Sequence, residues 1–123
     1  PGQTKENVKQ EILNCIEKLK QKDSQIKTKI QDLMFVSSVC ISENERIVKT
    51  LQRNAFSILE KEPEIGPAGP WCDAHFFIKK GIPTICGFGP DGENQHALNE
   101  FVYIDSIIQV CKIYALTAFD FLK

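Results

Sequence analysis

The chain has 123 residues, 42% apolar and 25% charged, a balance typical of one ordinary globular domain. Its 15 basic and 16 acidic side chains leave a formal net charge of -1, which argues against a nucleic-acid surface or a basic membrane helix. The apolar runs are far shorter than a membrane span, and the polar opening does not read as a signal peptide.

Thr4 is placed to cap a first helix that runs to about Lys22. Val8, Ile12, Ile16 and Leu19 form one narrow apolar stripe on it, and Lys18, Lys20 and Lys22 complement the dipole at its end. Ile26, Thr28 and Ile30 then alternate with Lys27, Lys29 and Gln31, the period of a half-buried strand continuing through Leu33 to Ile41. Ser42 is the expected cap of a second amphipathic helix carrying Ile47, Val48, Leu51, Ala55, Ile58 and Leu59, which Pro63 stops. Glu64 to Pro70 is a stiff loop with two glycines and two prolines besides Pro63.

The stretch from Trp71 to Glu100 carries most of the functional information. An amphipathic run, Asp73 to Lys80, stops at Gly81, and Asp73 is the expected cap. The apolar run Ile82 to Phe88 reads as a buried strand, followed by a glycine-proline-acid loop from Gly87 to Glu93 and then by His96 in a polar turn. This order of helix, buried strand, loop and histidine suits a parallel α/β sheet, in which ligands gather at the carboxyl ends of strands. Phe101 to Ile104 is extended. Asp105 is the expected cap of a final helix whose apolar face comprises Ile108, Cys111, Ala115, Ala118 and Leu122, covered as one layer against a sheet.

The five cysteines, Cys15, Cys40, Cys72, Cys86 and Cys111, are spread singly. Without a CxxC pair they read as reduced thiols of a cytoplasmic protein, most of them packing as small hydrophobes. Cys72 near a helix start is a candidate reactive thiol, although no histidine is paired with it by the sequence. Gly87, Gly89 and Gly92 only loosely resemble a phosphate loop, and the helix and lysine that such a loop requires do not follow. His96 is a candidate metal ligand, with Glu100 four residues on able to hold its other ring nitrogen. His75, beside two phenylalanines, reads as a packing or surface residue.

Together, Gly66 to Gly69, Cys72-Asp73-Ala74, Gly81-Ile82-Pro83-Thr84, Gly89-Pro90-Asp91-Gly92, His96 and Asn99-Glu100 resemble the C-terminal segment of a known family. It is the zinc amidohydrolase and peptidase family of acetylornithine deacetylase, succinyl-diaminopimelate desuccinylase, aminoacylase and carboxypeptidase G. Val102 to Leu122 resembles its closing helix, and Pro1-Gly2-Gln3-Thr4 the opening of a helix in its lid domain. The resemblance is strong over residues 66–122 and weak before residue 42.

The resemblance implies an α/β fold. Residues 1–41 would be the second half of a lid, or dimerisation, domain that pairs two subunits. Residues 42–123 would be the closing part of a catalytic domain with a parallel or mixed sheet. It implies two zinc ions, or cobalt in their place, and an N-acyl amino acid or short peptide as substrate, with the Trp71-Cys72-Asp73 turn nearer to a deacetylase than to a desuccinylase. His96 matches the last metal ligand, while Trp71, Cys72, Asp73, Gly89 and Pro90 match segments that approach the substrate. The family's other ligands, its glutamate base and its lid histidine match nothing in this chain. No catalytic residue is therefore expected here, and the chain by itself is expected to be an inactive piece of a longer protein. His75 departs from the family pattern, which often has arginine there. The alternative is a self-sufficient, non-catalytic binding or assembly module using the narrow stripe of the first helix. The reading frame upstream of Pro1 discriminates the two.

Overall fold

The computed structural model describes residues 2–68 and 71–123, so Pro1, Gly69 and Pro70 of the segments discussed above lie outside the described residues. The chain divides into two compact units, Pro1–Cys40 and Ile41–Lys123.

The first unit contains helix α1, Lys5–Lys22. The Thr4 hydroxyl accepts a hydrogen bond from the Asn7 amide at 3.2 Å, the predicted cap. No described residue of this unit is buried: Val8 and Ile16 of the stripe are half-buried, while Ile12 and Leu19 are exposed. The carboxylate of Asp32 lies 3.2 Å from the Lys9 ammonium and 3.4 Å from that of Lys5, joining the following segment to α1. The strand expected over residues 26–41 does not form. Its alternating pattern is present, but among the described residues no strand offers the hydrogen-bonding ladder that would satisfy its backbone.

The second unit is built on helix α2, Arg46–Leu59, and helix α4, Ile104–Leu122, with a short helix α3, Ala74–Lys79, between them. Val48, Leu51 and Ala55 form a buried stripe on α2 at spacings of three and four. Leu51 and Ala55 meet Ile113 of α4, on which Val110 is also buried. Ala55 and Ile113 are completely covered, and Ile58, Leu59, Ile85 and Phe88 pack around them. The start of α2 lies beside the end of α4, so the two helices are antiparallel. The Arg46 guanidinium donates to the carbonyls of Phe121 at 2.8 Å and Asp120 at 3.4 Å, and it also sits 4.8 Å from the centre of the Phe121 ring. These carbonyls belong to the last turn, where no helical amide remains to serve them, and a cation there also complements the dipole.

Several sequence expectations are corrected. Ser42 is not the cap of α2: its hydroxyl accepts from the Asn44 amide in a preceding turn, and Glu45 occupies the cap position without a side-chain bond. Asp73 holds the expected cap position of α3 but has helical backbone angles and makes no side-chain cap bond, and Tyr103, not Asp105, holds the cap position of α4. The buried stripe of α4 is Ser106, Val110, Ile113 and Thr117, whereas Ile108, Cys111, Ala115, Ala118 and Leu122 are exposed. The helix is apolar almost all round, so the side it buries is selected by its partner, which is α2 and not a sheet.

Ile82 to Phe88 forms no strand either. Ile82 is exposed and Pro83 lacks an amide donor, while the Thr84 hydroxyl donates to the Ile82 carbonyl at 3.0 Å. In place of a parallel or mixed sheet, the described residues hold one antiparallel pair, β1 (Gly92–Glu93) and β2 (Phe101–Val102), in register Gly92 to Val102. The structure is thus mostly helical with a small two-stranded sheet.

Three outcomes test this architecture. Replacing Ile113 with Ala leaves a void where a large, fully covered core side chain stands and should cost about 2–5 kcal/mol in denaturant unfolding. A Cβ at Gly92 would overlap the Phe101 carbonyl and crowd Val102, so Gly92→Ala should cost about 1–3 kcal/mol and unpair β1 from β2, read by loss of amide protection there. The hydrogen bond from Lys9, followed by the charges of Lys9 and Lys5, holds the Asp32 carboxyl below the usual carboxylate value. The folded-state value is depressed, so the stabilisation is present above the unfolded-state value and disappears as pH falls through the folded one. An NMR titration of the Asp32 carboxyl carbon should show this midpoint rising toward the ordinary value in Lys9→Ala.

Candidate metal-ligand loop

His96 lies in the loop that joins β1 to β2. Gly92 and Glu93 leave the helical core, residues 94–100 turn, and Phe101 and Val102 return to the start of α4. The return is fixed to the helix at several points. The Tyr103 amide donates to the Asp91 carbonyl at 2.9 Å. The Ser106 hydroxyl accepts from the Asp91 amide at 3.0 Å and donates to the Tyr103 carbonyl at 2.7 Å. The Tyr103 hydroxyl donates to the Glu93 carboxylate at 2.9 Å, and its ring meets that of Phe101 edge to face. The base of the loop therefore rests on α4, which rests on α2.

The turn itself is tightly wound. Asn94, His96 and Asn99 all have φ near 60°, in the left-handed region. Asn and His tolerate this region better than most residues, and a histidine held there warrants a functional hypothesis. The Ala97 amide donates to the Asn94 carbonyl at 2.9 Å, and the Asn94 side chain donates to the Asn99 carbonyl at 3.4 Å. The His96 ring is exposed, and no hydrogen bond or ion pair joins it to another described residue. Glu100 is exposed as well and does not hold the second ring nitrogen of His96.

The segments expected near a substrate are placed separately. Trp71 is 58% exposed, with its ring edge to face with Phe76 at 5.9 Å. The Cys72 carbonyl accepts from the His75 amide at 3.2 Å, and that of Asp73 from the Phe76 amide at 3.0 Å, forming the first turn of α3. Gly89 and Pro90 are exposed in the loop before Asp91. No hydrogen bond or ion pair brings His96 to Trp71, Cys72, Asp73, Gly89 or Pro90 among the described residues. His75, by contrast, is buried, with its ring edge to face against Phe76 at 5.5 Å, so the packing role is the correct one.

The cysteines do not pack as core residues. Cys15, Cys40 and Cys111 are exposed, while Cys72 and Cys86 are half-buried with their sulfurs 2.6 Å apart. The hydrogen bond with Cys72, then partial burial, then the charge of a Cys72 thiolate push the Cys86 thiol above its usual value. This pairing, and the role of Ser106 in holding Asp91, had no signal in sequence spacing. The cysteines are 14 positions apart, and Ser106 is one more small polar residue in a first helical turn.

No group of three or more His, Cys, Asp or Glu side chains capable of holding a metal ion occurs among the described residues. The donor set of this chain therefore does not by itself fit a metal ion, and the one imidazole free to bind a metal from the loop is that of His96. A depression of about 270 Å³ lies between Ile47, Leu51, Pro83, Ile85, Phe88 and Tyr114, and another of about 290 Å³ is lined by Gln52, Arg53, Phe56 and Glu62. Neither includes His96. No described helix is long and apolar enough to cross a membrane.

No solved structure matches the chain at a significant level. The model of Peptidase family M20/M25/M40 matches residues 4–120, which include α1 with its cap, α2, the His96 loop and all but the last two residues of α4. With a match that runs through both structural units, the chain belongs to peptidase family M20/M25/M40, a family of metallopeptidases and amidohydrolases that is typically metal-dependent.

Proposed function

We propose that this chain is the C-terminal piece of a zinc-dependent amidohydrolase that cleaves N-acyl amino acids, in the manner of acetylornithine deacetylase, or short peptides. The observation that carries this reading is His96. Its imidazole is exposed and unpartnered, on a tightly turned hairpin loop that the helical core anchors through Asp91, Tyr103 and Ser106. A ligand contributed to a shared metal centre needs such an arrangement, because the ring must be open to the metal while its backbone is held still. Membership of a metallopeptidase and amidohydrolase family supplies the reaction class.

In this reading the chain contributes one imidazole, and the remaining metal ligands and the general base come from outside residues 1–123. Zinc, or cobalt in its place, would polarise the scissile carbonyl and activate water. The chain's own part is to present His96, and no further step is assigned to it. Trp71, Cys72, Asp73, Gly89 and Pro90 are proposed to border the substrate. Exposed backbone at Gly89 allows close approach of a carboxylate, and glycine places no side chain in its way. Residues 1–41 are proposed as half of a lid that pairs two subunits, supported by the exposed Ile12 and Leu19 of the α1 stripe and by the strand-like pattern of residues 26–30 without a partner strand. Widely scattered cysteines support a cytoplasmic setting.

A second reading, a non-catalytic binding module, is favoured by the exposed Ile12 and Leu19 of the α1 stripe, a surface open to a partner. Two measurements decide between them. In the intact enzyme, His96→Ala should lower hydrolysis of an N-acetyl amino acid by about 100-fold or more and reduce the bound zinc. Residues 1–123 alone should bind zinc only weakly and hydrolyse nothing. Full zinc content and unchanged turnover in His96→Ala would remove His96 from the centre, and tight binding of two metals by residues 1–123 would contradict the shared-site reading.

A further inference from the structure

We propose that Cys72 and Cys86 are a redox-sensitive thiol pair that closes to an intramolecular disulfide when the protein meets a hydroperoxide. The two residues come from different segments. Cys72 lies in the turn that enters α3, and Cys86 lies in the apolar run after it, so the chain between them contains the whole of α3 and the reversal at Gly81, where φ is 77°. That reversal brings the sulfurs to 2.6 Å. Covalent closure needs a separation of about 2.05 Å, a movement that side-chain rotation can supply. Both side chains are half-buried, so a small oxidant reaches them while bulk solvent is partly excluded. Gly87 follows Cys86 with φ of 83°, which leaves backbone freedom on that side.

The chemistry balances with a hydroperoxide as oxidant. One thiolate attacks the peroxide O–O bond, which breaks and releases an alcohol or water, leaving a sulfenic acid. The second sulfur attacks the sulfenic sulfur, the S–S bond forms, the S–O bond breaks and water leaves. With hydrogen peroxide, two thiols and one peroxide give one disulfide and two waters, and the thiol protons finish in those waters. A thiol reductant reverses the closure, as befits the transient disulfides of reducing compartments. The consequence is a clasp that ties the Trp71–Asp73 turn to the segment before Gly87, whatever reaction the enzyme catalyses.

The test is made on the intact protein. It is reduced, exposed to hydrogen peroxide and alkylated with N-ethylmaleimide. It is then cut after Lys80 and after Glu93, which separates Cys72, Cys86 and Cys111 onto different peptides. A Cys72–Cys86 cross-link should exceed every other cysteine pair by about tenfold or more, and dithiothreitol should remove it. In guanidinium the preference should fall to about two- to threefold, which is all that the shorter loop supplies. Cys86→Ser should leave a dimedone-reactive sulfenic acid at Cys72 in place of the cross-link. The wild-type mapping decides the matter even if that variant folds poorly. Cross-links spread over the five cysteines as in the unfolded chain, oxidation of either residue to sulfinic acid without a cross-link, or unreacted thiols at both would each overturn the proposal.

Discussion

The antiparallel contact between α2 and α4 holds the second unit of this protein together. Ala55 and Ile113 meet with no solvent access, and Leu51 extends the seam. Burying an isoleucine of this kind contributes about 1.5–3 kcal/mol, a large share of what so small a core can supply. The polar groups that border the seam are paired and not left stranded. The Asn54 side chain donates to the Thr117 hydroxyl at 3.4 Å, and the Arg53 guanidinium meets the Asp120 carboxylate at 2.9 Å. Arg46 closes the end, serving carbonyls that the last turn of α4 leaves without helical donors. The Arg53–Asp120 pair is largely exposed and adds little to stability beside the apolar contact.

The contact matters for the His96 loop because the hairpin has no comparable core of its own. Its two-residue strands cannot hold a loop in place alone. Ser106 and Tyr103 at the start of α4 bind Asp91 and Glu93 on the outgoing side of the hairpin. Tyr114, one face further along α4, donates to the Phe88 carbonyl and fixes the segment before it. The position of His96 is thus inherited from helix packing through a short series of hydrogen bonds. Left-handed backbone at Asn94, His96 and Asn99 sharpens the turn without a glycine.

The helices were legible where their apolar periodicity was narrow. Thr4 and the stripe of α1 are local patterns that declare the element, and Val48, Leu51 and Ala55 of α2 declare its buried side as well. Strands were legible only in part: Phe101 and Val102, read as extended, form β2, but the longer runs do not pair. Residues 26–41 and 82–88 carry the right residue types, but a strand exists only when another backbone completes its hydrogen bonds, and none of the described residues does so. Cap residues were only partly legible. Ser42 and Asp105 are good capping types, yet α2 and α4 start at other places, and Asp73 holds the cap position of α3 without a side-chain bond.

The amino-acid sequence by itself determined the helical segments, the family resemblance and the single loop histidine worth testing, because each of these is carried by residue type and spacing along the chain. Tertiary structure alone decided which side of α4 is buried, since a helix apolar on nearly every side takes its orientation from the neighbour that covers it. It also decided that Cys72 faces Cys86 and that Ser106 holds Asp91. Such contacts join residues whose distance in space depends on how α3 and the hairpin reverse direction, and no periodicity along the chain encodes that reversal.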